Sequence, residues 1–168
     1  VYLGSFSKIL APGLRLGYLI APPALYPKLL QAKQAADLHT PGFNQRVVAE
    51  VIRDGFLDRH VPTIRARYHA QRDAMLAALE RELGPTGAKW TRPAGGMFVW
   101  VKLPEGLNAQ TLLPAAVDAG MAFVPGAPFY AQQPDTRTLR LSFVTSTPAE
   151  IDRGMAALGQ VVRQALSR

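Results

Sequence analysis

The sequence predicts an α/β fold in which a helix-rich middle separates two strand-bearing ends. Three observations carry this. Residues 24–83 are poor in glycine and rich in Ala, Leu, Gln and Arg, with apolar side chains at helical spacing. Beyond Trp90 the hydrophobic period shortens to two. Residues 1–23 hold two strand-length apolar runs, Val1 to Leu3 and Leu16 to Ile20, around a polar loop. The 168 residues are 48% hydrophobic and 18% charged, which suits an ordinary globular domain and excludes a disordered chain. No apolar run approaches the roughly 18 to 20 residues of a spanning helix, so no membrane association is expected. The opening Val1-Tyr2-Leu3 reads as mid-strand and carries no leader pattern, which leads us to expect a piece of a longer chain.

Taken in order, the two N-terminal runs read as pieces of a parallel sheet. In the middle segment Val47, Val48, Val51 and Ile52, then Ile64, Tyr68, Met75, Leu79 and Leu83, mark helix faces, and Pro41-Gly42 and Gly55 divide the segment into three helices. Met97 to Leu103 is apolar on both faces and reads as a strand of a covered sheet, with Phe98, Trp100 and Tyr68 taken as core residues. Leu139, Leu141 and Phe143 alternate with Arg140 and Ser142 in a second strand, and Met121 to Val124 forms a third, shorter one. Asn108 caps a helix ending near Gly120, which Pro114 should kink by removing a backbone donor. The last helix is announced by Thr147-Pro148-Ala149-Glu150, an N-cap, a first-turn proline and a capping-box glutamate, ahead of Ile151, Met155, Leu158 and Val162.

The absence of cysteine excludes a disulfide framework, thiolate catalysis and a cysteine-built zinc site, and a cytoplasmic origin is the default. Nineteen Lys+Arg against 12 Asp+Glu give a net charge of +7, which could favour nucleic acid or small anions. The basic residues Arg53, Arg59, Arg65, Arg67, Arg72 and Arg81 are interleaved with Asp54, Asp58, Asp73, Glu80 and Glu82, the pattern of solvated helix faces, so no nucleic-acid contact is expected. His39, His60 and His69 lack metal-ligand spacing, and no metal is expected.

The chemically informative stretch is Ser5-Phe6-Ser7-Lys8-Ile9-Leu10-Ala11-Pro12-Gly13-Leu14-Arg15-Leu16-Gly17. A lysine in an apolar setting can be held neutral and attack an aldehyde, and two hydroxyls with an arginine nearby offer donors to a phosphate. Together they suggest a phosphorylated aldehyde cofactor beside its own lysine, against the alternative of a basic surface loop in which the serines form turns. Gly95-Gly96 permits either close approach of a substrate or a bulge before the strand. Tyr130, after a Pro-Gly loop, is a candidate for lining a substrate pocket.

At these residues the chain resembles the class I/II aminotransferases of fold type I, whose pattern is S-x-S-K-x-x-x-P-G-x-R-x-G. Asp37-Leu38-His39-Thr40-Pro41, Gly95-Gly96-Met97-Phe98-Val99-Trp100, Phe123-Val124-Pro125-Gly126 and Thr138-Leu139-Arg140-Leu141-Ser142-Phe143 follow in the order of the 2-aminoadipate and kynurenine aminotransferase group. The resemblance covers nearly the whole chain. It implies that residues 1–84 are the end of the large, cofactor-binding domain with its interdomain helices, and that residues 85–168 are the small α+β C-terminal domain. It also implies pyridoxal 5'-phosphate (PLP) as cofactor, amino acids and 2-oxo acids as substrates, and a homodimer. Lys8 becomes the Schiff-base lysine and proton shuttle, Ser5, Ser7 and Arg15 the phosphate-holding residues, and Arg140 the arginine that takes the substrate α-carboxylate.

In the family, the acidic partner of the pyridine nitrogen, the aromatic stacked on the ring and the Asn and Tyr groups at the ring oxygen lie upstream of the equivalent of Val1. The isolated chain is therefore expected to be inactive. A competing expectation is an aminotransferase-like effector domain of a PLP-dependent transcription regulator, which would keep the same loop.

Overall fold

A computed structural model describes residues 1–167 and divides into two compact units, Val1–Arg65 and the residues from Ala66 onward. In the first, β1 (Tyr2–Ser5) and β2 (Gly17–Ile20) pair through Tyr2↔Ile20, Leu3↔Leu19, Gly4↔Tyr18 and Ser5↔Gly17. The pairing is antiparallel, which corrects the parallel sheet expected from the sequence. Only a loop with a 3-10 turn at Pro12–Leu14 joins the strands, whereas a parallel crossover needs a dozen or more residues and usually a whole helix. Tyr18 lies across Gly4, where a Cβ would collide with its ring, and the ring also packs against Phe6 with centroids 5.5 Å apart.

Three helices follow, as the Pro-Gly and Gly breaks predict: α1 (Tyr26–Asp37), α2 (Gly42–Val51) and α3 (Phe56–Leu83). The break before α3 is a left-handed pair, Asp54 (φ 58°) and Gly55 (φ 69°). Leu16 and Val48 are the buried hydrophobic residues of this unit among the described residues, while Tyr2, Leu3, Leu19 and Ile20 are exposed.

The second unit opens with the latter half of α3 and continues with β3 (Lys89–Trp90), β4 (Phe98–Lys102), α4 (Ala109–Asp118), β5 (Val124–Pro125), β6 (Thr138–Ser142) and α5 (Pro148–Leu166). The sheet order is β3-β4-β6-β5, antiparallel throughout. Val99 and Val101 of β4 and Leu139 and Leu141 of β6 point to one face and join Met75, Leu79 and Leu83 of α3, Leu112 of α4 and Ile151, Met155, Leu158 and Val162 of α5 in a single core. Helix α5 is capped as expected: Thr147 N–H donates to Glu150 Oε2 at 2.7 Å and Glu150 N–H to Thr147 Oγ1 at 3.3 Å. The Thr147 N–H bond, with a second one from Thr147 Oγ1 to the same oxygen at 2.8 Å, holds the Glu150 carboxyl below its ordinary value. Gly159 lets α5 approach α3, since a Cβ there would lie 2.9 Å from Glu82 Cβ.

Three details differ from expectation. The short strand expected at 121–124 lies at Val124–Pro125, and the two-residue β3 was not foreseen. Helix α4, by contrast, forms as expected, running through Pro114 to Asp118 under an Asn108 cap whose side chain accepts from Gln110 N–H at 2.9 Å. Phe98 and Trp100 do not join the core. They occupy the opposite face of β4, where Phe98 is exposed, while Tyr68 does pack against the core.

Many basic residues on the helices are answered locally. Arg53 pairs with Glu50 (2.6 Å), Arg72 with Asp73 (2.7 Å) and Arg81 with Glu82 (2.9 Å) and Asp152 (3.1 Å). Among the described residues no helix is long and apolar enough to cross a membrane, and no cluster of His, Asp and Glu could hold a metal ion.

Candidate active site

The loop between β1 and β2 brings Ser5, Ser7, Lys8 and Arg15 onto one short connection. Phe6 N–H bonds Leu16 O at 3.1 Å and closes its base. Leu10 N–H and Ala11 N–H both reach Phe6 O, at 2.9 and 3.2 Å, so residues 6–11 form one helical turn, with Lys8 exposed upon it. Ser5 Oγ accepts Ser7 N–H at 3.1 Å, which orders the two serines relative to each other and leaves the Ser5 hydroxyl proton free to donate. The exposure of Lys8 differs from the apolar setting the sequence suggested, because the residues of the turn do not enclose it.

Arg15 follows the 3-10 turn in the left-handed region, φ 51° and ψ 43°, with its N–H on Pro12 O at 3.3 Å. A residue with a Cβ rarely holds this conformation without cause. Its side chain spends one donor, Nη1, on Pro12 O at 3.1 Å and keeps its remaining N–H groups available. One side chain from outside the loop also enters it: Asn44 of α2 donates from Nδ2 to Leu14 O at 3.1 Å. No motif or spacing in the sequence marked Asn44.

Two hydroxyls, a primary amine and a planar guanidinium on one connection are the donor chemistry that a phosphorylated aldehyde needs: short hydrogen bonds and a charged fork for the phosphate, an amine for the carbonyl. By that measure the residues present fit the cofactor.

The motif 37–41 ends α1 in a tight turn. Leu38 adopts φ 60° and ψ −63°, and His39 N–H reaches Asp37 O at 2.6 Å. Gly96 (φ 83°) forms a left-handed bend before β4, and a Cβ on Gly95 or Gly96 would meet nothing within 4 Å in this chain. Two of the histidines make local contacts: His60 stacks on Phe56 (5.0 Å), and His69 meets Asp73 (3.1 Å) and Arg72 (2.8 Å).

In the second unit, Arg140 lies opposite Trp100 of β4 and Val124 of β5, on the face away from the core, as its offset from Leu139 and Leu141 predicts. Its guanidinium carbon sits over the Phe98 ring at 4.1 Å and the Phe129 ring at 4.8 Å. Phe129 packs edge-on against Trp100 at 5.7 Å, and Tyr130 lies 6.3 Å from the same ring. Gly126 makes this possible, because a Cβ there would press on Trp100 Cζ2 at 2.8 Å and on Thr138. Nearby Arg137 is committed to Asp135 (3.1 Å) and Glu105 (3.7 Å), whereas Arg140 enters no ion pair among the described residues. Asp135 also accepts Lys102 Nζ at 2.7 Å, and Lys102 first, then Arg137, hold its carboxyl far below the ordinary range.

The family model for aminotransferase class I and II matches residues 1–158. The chain belongs to this family. Among its relatives, the 2-aminoadipate transaminase of Thermus thermophilus is 47% identical over 167 residues, 99% of this chain and 42% of that protein. An aromatic-amino-acid aminotransferase of Thermococcus litoralis is 44% identical over 100% of this chain and 40% of its own length. The crystal structure of the Thermus thermophilus α-aminoadipate aminotransferase, complexed with N-(5'-phosphopyridoxyl)-L-leucine, superposes with a TM-score of 0.91 at 46% identity, covering 99% of this chain and 42% of that one. A helix-turn-helix regulator of Bacillus subtilis is 32% identical over 100% of this chain and 34% of its own length. This aminotransferase-family chain thus spans about two fifths of the length of these aminotransferase relatives.

Proposed function

We propose that the chain is the C-terminal part of a PLP-dependent aminotransferase that moves an amino group between an amino acid, of 2-aminoadipate, aromatic or branched-chain type, and a 2-oxo acid. The observation that carries this reading is the single loop presenting Ser5, Ser7, Lys8 and Arg15. In it, residues 1–84 end a large cofactor-binding domain and residues 85–168 form the small domain, with the latter half of α3 packed into the small-domain core. When bound, PLP supplies an electron sink for the charge left at the substrate α carbon. Arg15 and the two serines bind the phosphate through a guanidinium fork and short hydrogen bonds. Lys8 Nζ would hold the aldehyde carbon of the cofactor until the substrate amine displaces it, and the freed amine would then carry the proton from the substrate α carbon to that carbon, C4'. Arg140, held over Phe98 and Phe129, orients the substrate by its α-carboxylate in a bidentate pair. A cytoplasmic homodimer is part of the same proposal, and the absence of cysteine supports the compartment.

Borohydride reduction of the full-length protein with PLP, followed by peptide mapping, tests the assignment and should place the pyridoxyl group on Lys8. Label on another lysine, or none at saturating PLP, would refute it. The regulator relative keeps a second reading in view, a ligand-sensing effector domain. A helix-turn-helix segment upstream in the gene, with no amino transfer by the full-length protein, would favour that reading.

A further inference from the structure

We propose that Asn44 is a positioning residue for the phosphate site, acting through the peptide group that joins Leu14 to Arg15; this rests on the reading of Arg15 as a phosphate-holding residue. The direction of an arginine side chain at the end of a tight turn is set by its own φ, the rotation of Cα and Cβ against the preceding peptide plane. That plane is rigid, so fixing its carbonyl and its N–H fixes its orientation. Both are fixed here: Leu14 O accepts Asn44 Nδ2 at 3.1 Å, and Arg15 N–H donates to Pro12 O at 3.3 Å. The result is the left-handed Arg15, φ 51° and ψ 43°.

Without a second tether the plane could rotate and return Arg15 to the extended or right-handed region that a residue with a Cβ prefers. The guanidinium would then leave the position it holds beside Pro12 O. The Asn44 bond is partly buried and crosses from α2 to the loop over thirty positions of sequence. Its donor is therefore delivered by the packing of α2 and not by the turn itself. Ser5, Ser7 and Arg15 hold the anion, and Asn44 touches none of it.

The test measures binding by the full-length protein to two probes, PLP and pyridoxal, which share the aldehyde and ring and differ in the phosphate. Asn44→Ala should raise the Kd for PLP about three- to tenfold, as expected for one lost hydrogen bond, and leave that for pyridoxal unchanged. Asn44→Leu keeps the side chain's approximate size, has no donor, adds no charge near the phosphate, and should behave alike, which covers the case in which the alanine variant folds poorly. In an Arg15→Ala background neither change should weaken PLP further. Unaltered PLP binding in the Asn44 variants, equal weakening of both probes, or full additivity with Arg15→Ala overturns the proposal while leaving Arg15 in its role. If Arg15→Ala itself leaves PLP binding unchanged, the phosphate reading falls and this inference with it.

Discussion

Replacing Arg15 by glycine and by alanine separates the cost of its backbone from the use of its side chain. Both substitutions remove the guanidinium and its bond to Pro12 O, so they differ only in the Cβ. At φ 51° and ψ 43° that Cβ costs roughly 1 to 2 kcal/mol for an L residue. Glycine loses more freedom on folding, which returns roughly 0.5 to 1 kcal/mol of the difference. The glycine variant should therefore be the more stable by about 0.5 to 1 kcal/mol, the reverse of the order in a helix or strand. Both tryptophans, Trp90 and Trp100, lie in the second unit, so their fluorescence would not report on the loop. Amide hydrogen exchange at Phe6 and Leu10, whose N–H groups close the loop, is the suitable measure. Protection there should be about two- to fivefold greater with glycine than with alanine. Equal protection, or more with alanine, would show that residue 15 is not left-handed and would remove the basis for assigning Asn44 its role. PLP affinity should fall alike in both variants, on the order of tenfold or more, because a charge-assisted contact is lost.

Arg140→Lys keeps the charge but loses the fork and the stacking over Phe98 and Phe129, and catalytic efficiency of the full-length protein should fall by about 2 to 4 kcal/mol equivalent with little change in PLP affinity; a loss below tenfold would place the residue outside the carboxylate site. The depressed Asp135 carboxyl stabilises the second unit fully above the unfolded value near 3.9, and that contribution is lost as pH falls below it. Asp135→Asn should thus cost about 1 kcal/mol at pH 7, discounted for its partial exposure, with the gap to the parent chain narrowing between about pH 4 and pH 2 in urea titrations followed by tryptophan fluorescence. A gap independent of pH would contradict the ion-pair account. The isolated 168-residue chain, with Lys8 exposed, should bind PLP weakly and transfer no amino group; a tight stoichiometric spectral change on titration with PLP would show that the chain alone completes the site.

What the sequence by itself determined were features whose causes are local. The three helices of the middle segment were legible because Pro41-Gly42 and Gly55 break a helical period, and the start of α5 because Thr147 and Glu150 satisfy each other's backbone within one turn. The outward direction of Arg140 followed from a period of two, and the candidate cofactor residues from a contiguous pattern that needs no folding to be read. Tertiary structure decided the rest. The antiparallel pairing of β1 and β2 depends on how the strands meet, which an apolar run does not encode. Phe98 and Trp100 could not be assigned to a face, since a strand apolar on both sides has no preferred one; the helices cover one side and leave Phe98 beneath the Arg140 guanidinium and Trp100 opposite it across the strands. The left-handed Arg15 and its tether to Asn44 were equally hidden. They arise from a donor brought to the loop by helix packing, and no residue pattern records a contact between positions so far apart in the chain.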